Sequence, residues 1–139
     1  MQNYLELFTD SFQRVVSERI GDEDFFATFY DVFVGDSPEA AEKFRDVDMQ
    51  KQREHLRKSL DLMVYFSIDR QASDDMLRIA RIHSVSGNDI RPELYDCWLE
   101  SLLKTVSRFD PEFSDAVDVA WRVVLAPGIS YMQLQHQRL

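Results

Sequence analysis

Apolar residues recur at helical spacing along almost all of this 139-residue chain, and glycine and proline fall mostly between those runs. No alternating β-branched stretch and no Asn-Gly hairpin turn is present, so the core has to be built from helices. Leu5, Phe8, Phe12, Val15 and Val16 mark one side of a first helix over about Asn3–Arg19. Asp22 is a candidate N-cap for a second helix, which carries Phe26, Phe29, Tyr30 and Phe33 as an aromatic stripe. Gly35-Asp36-Ser37-Pro38 ends it, and a short turn over Pro38–Phe44 follows. Asp48 can cap a helix reaching about Phe66, and Ser73 one that ends near His83. Pro92 suits the first turn of the next helix, which runs to about Arg108. Ser114 opens the last, where Pro127-Gly128 predicts a kink or a break. The expectation is one all-α domain over residues 1–139, with seven or eight helices.

Composition narrows the function. A chain of this length buries about two-thirds of its unfolded surface, so it folds without a staple. The single cysteine, Cys97, excludes an internal disulfide and cysteine-rich metal sites. A formal charge of −9 opposes binding to nucleic acid or to anionic lipid. No membrane span or leader pattern is present, which makes the cytoplasm the expected location. Ten Phe, five Tyr and two Trp exceed what a plain helical bundle needs and hint at a core shaped around something large and flat.

No phosphate loop, no paired histidines at metal spacing and no nucleophile triad can be picked out. What remains is His83, which shares a face with Met76, Ile79 and Ala80. Across the core, the helix after Asp48 turns Leu56, Leu60 and Met63 inward. One turn earlier the same face carries Gln52, where an apolar residue would be the bland choice, with His55 about 60° around the helix.

Four segments, in order, carry a resemblance. Thr28-Phe29-Tyr30-Asp31 with Pro38 and Phe44, Gln52-Arg53-Glu54-His55-Leu56, Ile79-Ala80-Arg81-Ile82-His83, and Ile90-Arg91-Pro92-Glu93-Leu94-Tyr95 together resemble a bacterial single-domain globin, similar to the globin portion of flavohaemoglobins. The match spans about Phe25 to Trp121. It implies the globin fold around haem b, with His83 as proximal iron ligand. Phe44 would pack against the porphyrin, Tyr30 and Gln52 would donate hydrogen bonds to a bound gas, and Leu56 would close the pocket. Trp98 would add an indole N–H on the distal side. Ile79, Leu94 and Tyr95 complete the expected cofactor contacts. In some truncated globins a histidine one turn after the distal glutamine binds iron, so His55 is a candidate sixth ligand.

The chain also departs from the flavohaemoglobin pattern. There the proximal histidine is supported by a tyrosine and a glutamate. Tyr95 matches the first, but His136 stands near the second. The loop after His83 is two residues longer, and His136 itself receives no role. Arg78, Arg81 and Arg91 are candidates for haem propionates or for solvent. The implied function is reversible binding of O₂, NO or CO, for gas binding, NO detoxification with a separate reductase, or sensing. Two alternatives stand beside it: a haem-free globin-fold interaction module, and a weak peroxidase or NO dioxygenase. Oligomeric state is left open, a homodimer among the options.

Overall fold

The computed structural model describes residues 3–139, which form seven helices and no sheet. They are α1 (Tyr4–Ser17), α2 (Phe25–Asp36), α3 (Pro38–Lys43), α4 (Met49–Asp69), α5 (Asp74–His83), α6 (Leu94–Phe109) and α7 (Asp115–Gln135). Among the described residues, no helix is long and apolar enough to cross a membrane.

Most helix starts follow from local chemistry. Asn3, Ser37, Asp48, Ser73 and Ser114 each accept a backbone N–H from the first turn of the helix they precede. The second helix is capped by Asp24 rather than Asp22, because Asp22 lies in a tight turn closed between Ile20 and Glu23, with Gly21 at φ +63°. Pro92 and Glu93 form a turn ahead of α6 rather than its first residues.

The main packing pairs are α1 with α7, α2 with α6, and α4 with α7. Trp121 of α7 is fully buried at the centre, with Phe8 at 4.6 Å and edge-on. Phe25, Phe29, Leu60, Leu102 and Leu125 are buried around it. Of the kink or break expected at Pro127, the break does not occur, and α7 continues through it. The carbonyl that Pro127 leaves without an intrahelical partner belongs to Val123, which is half exposed, so solvent can satisfy it. Gly128 lies against α4, and a Cβ there would come within 2.8 Å of Met63 Cγ. The glycine lets the two long helices approach closely.

One buried polar network joins α1, α6 and α7. Asp110, just past α6, is almost fully buried. Its carboxylate accepts from Ser11 Oγ at 2.6 Å, from Arg14 Nε at 2.6 Å, from Arg14 Nη2 at 2.9 Å and from the Glu112 backbone N–H. Ser11 Oγ in turn accepts from the Trp121 indole N–H at 2.9 Å. Burial opposes ionisation of Asp110, but Arg14, Ser11 and the Glu112 N–H outweigh it and hold the carboxyl below its usual range.

Because the folded pKa is depressed, the stabilising contribution of Asp110 is complete above the unfolded carboxylate value of about 3.9 and is lost as pH falls toward the folded value. Asp110→Ala is expected to cost about 3 kcal/mol, since it leaves Arg14 and Ser11 without their partner. Urea unfolding at pH 7 and pH 3 checks both points. Asp110→Asn should be less stable than the parent at pH 7, and the gap should narrow at pH 3.

Candidate functional site

His83 is the last residue of α5, and Ser84 caps the helix end. Its Nδ1 lies 2.8 Å from the Ile79 carbonyl oxygen. A carbonyl can only accept, so Nδ1 carries the proton and Nε2 is left with a free lone pair. The ring is half-buried, and burial lowers its pKa against the opposing pull of the Ile79 carbonyl. The neutral, Nδ1-protonated imidazole is therefore favoured, which is the form that ligates a metal. Among the described residues, no group of three or more His, Cys, Asp or Glu could hold a bare metal ion. A lone oriented imidazole suits a metal that brings most of its own ligands, as a porphyrin iron does.

The loop after His83 is held from two sides. Within it, the N–H groups of Asn88, Asp89 and Ile90 reach the carbonyls of Ile82, Ser84 and His83 at 2.7–2.9 Å. A Cβ on Gly87 would fall 2.3 Å from the Ile82 carbonyl oxygen, so only glycine fits this fold of the loop. From one side, Lys43 donates to the Asn88 carbonyl and Arg91 pairs with Glu39 of α3. From the other comes the end of α7. His136 Nε2 donates to Asp89 Oδ1 at 2.6 Å, Val85 N–H donates to the His136 carbonyl, and Gln133 donates to the Pro92 carbonyl.

His136 is buried, so the absence of a role for it in the sequence reading is corrected. The sign was present in the spacing: Ile129, Met132 and His136 continue the inward face of α7. Asp89 and Lys43 carried no such signal, because their partners are remote in sequence. Of the candidate propionate arginines, Arg78 is paired with Asp75, and Arg91 with Glu39 and Glu93.

Opposite this loop, α2 presents Tyr30, which is buried and packs edge-on to Phe44 at 5.3 Å. Its hydroxyl donates to the Gln52 backbone carbonyl at 3.2 Å. Burial raises its pKa to about 12, although that hydrogen bond works the other way, so it is a proton donor at neutral pH. Gln52 is half-buried, and its side-chain amide makes no hydrogen bond among the described residues. Trp98 is half-buried with its ring 6.1 Å from Phe29, while Leu56 and Leu94 lie in the core. Ile79 is half-buried beside His83 on α5. Tyr30, Phe44 and Gln52 are thus brought together, but His55 is exposed on the outer side of α4.

Tyr95 is half-buried, yet its hydroxyl is out of solvent and, among the described residues, is the one buried side-chain polar atom without a hydrogen-bond partner. Burial pushes its pKa well up. His136 is turned to Asp89 and does not supply that partner. A lone buried hydroxyl is a cost of about 1–3 kcal/mol. Tyr95→Phe in the ligand-free protein should therefore be neutral or raise the melting temperature. A fall of several degrees would show that the hydroxyl has a partner in solution.

No protein-family model matches the sequence, and no curated protein does. Among solved structures, a protein of Pseudomonas aeruginosa, described as structurally highly homologous to a human haemoglobin, matches with a TM-score of 0.88 and 30% sequence identity. The alignment covers 97% of this chain and 99% of that one. A likeness of that extent, together with the seven-helix fold, places this chain in the globin family.

Proposed function

We propose that this globin binds haem b between α4 and α5 and through it a diatomic gas such as O₂, NO or CO. The observation that carries the reading is the imidazole of His83, held by Ile79 in the tautomer that leaves Nε2 free. Ferrous haem supplies the gas-binding centre. The protein's own residues then have distinct tasks. Ile79 orients the His83 ring, and the clamped loop limits where that ring can move. Phe44 offers an aromatic wall that also packs against Tyr30 and Phe33.

Tyr30 is the donor for partial negative charge on a bound gas. Its single proton already rests on the Gln52 carbonyl, so the net gain is the difference between two hydrogen bonds. The Gln52 amide, with no hydrogen-bond partner among the described residues, can donate without that competition. Delivery of the gas, sensing, and NO removal with a separate reductase all begin from this binding step.

Titrating hemin into the purified protein should give a sharp Soret band. His83→Gly should lose or broaden it, and added imidazole should restore it. No band in the parent protein would remove the haem reading and leave a globin-fold interaction module. His55 is assigned by ferric spectra of His55→Leu. An unchanged spectrum leaves it at the surface, and a change from low to high spin makes it a sixth ligand that turns inward.

Tyr30→Phe is expected to speed O₂ dissociation several-fold, and Tyr30→Phe with Gln52→Leu much more. Stopped-flow release measures both. If the double variant releases O₂ at the parent rate, the donor role of this pair is wrong.

A further inference from the structure

The long final helix carries a second apolar face that the core does not use. Val119, Val123, Ala126, Pro127, Ser130 and Leu134 follow one another at helical spacing along α7. Val119, Val123 and Leu134 are 40%, 47% and 53% exposed, and Ala126 and Ser130 are exposed too. Beside this stripe Phe66 and Arg70 of α4 close a shallow groove. Among the described residues Ser130 Oγ makes no hydrogen bond, whereas Ser67, Thr105 and Ser107 each donate to their own helix.

We propose that the protein forms a two-fold homodimer in which the α7 helices of two copies pack antiparallel along this stripe. The positions themselves argue for a second copy. Reversing the helix about the Ala126–Pro127 bond exchanges Val119 with Leu134, Val123 with Ser130, and Ala126 with Pro127. Every stripe position lands on another stripe position, which is the self-complementarity an isologous interface requires. The small residues fall at the axis, where two backbones must come closest. Ser130 falls opposite Val123, whose carbonyl Pro127 leaves without an intrahelical partner.

Charge agrees. The chain holds 25 acidic residues, yet none lies between Val119 and Leu139, so two negatively charged molecules can meet here with little repulsion. The same reversal brings Asp115 toward Arg138, just past the end of α7; both are exposed and, among the described residues, neither has an ion-pair partner. Each two-fold contact would form that pair twice. The surface is smaller than the roughly 20–30 residues a side of a standard interface, so the dimer should dissociate on dilution into the micromolar range.

Sedimentation equilibrium on the full chain tests this. At high micromolar concentration the mass should be twice the 16.4 kDa of one chain, falling toward one chain on dilution. Val123→Glu should be monomeric throughout with unchanged far-UV circular dichroism. Asp115→Arg should weaken association about tenfold or more, and Asp115→Arg with Arg138→Asp should restore it. A chain that stays monomeric to millimolar concentration overturns the proposal and leaves the stripe to a different protein. A dimer that Val123→Glu leaves intact, or a double reversal that restores nothing, overturns it as well.

Discussion

A buried carboxylate organises this molecule. Asp110 sits at the corner between α6 and α7 with little access to solvent, and a charge in that position is tolerated only if its surroundings replace the solvent it lost. Arg14 and Ser11 of α1 do so, together with the Glu112 N–H, and Ser11 passes the connection on to Trp121. The first helix is thereby bound to the last two by charge-assisted hydrogen bonds as well as by apolar packing. Both of those helices go on to serve the site. From this corner α6 carries Tyr95 and Trp98, and α7 ends with Gln133 and His136.

The region of His83 is a case of local geometry maintained by distant residues. His83 obtains its tautomer from its own helix, four residues back. The loop that leaves it is then fastened to α3 through Lys43 and Arg91 and to the end of α7 through His136. One of these fastenings, His136 to Asp89, buries a partner, which makes it worth more than an exposed ion pair. The arrangement limits the positions open to the imidazole before any ligand arrives. The facing side, on α2 and α4, is looser. Tyr30 is already engaged with the Gln52 carbonyl, the Gln52 amide has no hydrogen-bond partner among the described residues, and His55 is exposed. Side-chain freedom therefore lies on α4 rather than on α5.

The sequence by itself determined a great deal: the all-α class, the caps Asp48, Ser73 and Ser114, the inward faces, and His83 at the end of its helix. These depend on interactions within four or five residues, which periodicity and side-chain chemistry express directly. Tertiary structure decided the rest. Whether Pro127 breaks α7 depended on Val123 facing outward and on Gly128 meeting Met63 across the core. Whether His136 had a partner depended on Asp89, 47 residues earlier, reaching it in a loop only Gly87 allows. The neighbours of Asp110 come from 96 and 99 positions away. Such contacts leave no mark on either local sequence, because each residue alone looks like an ordinary surface polar group. Only the folded chain, by removing solvent from them together, makes them necessary to one another.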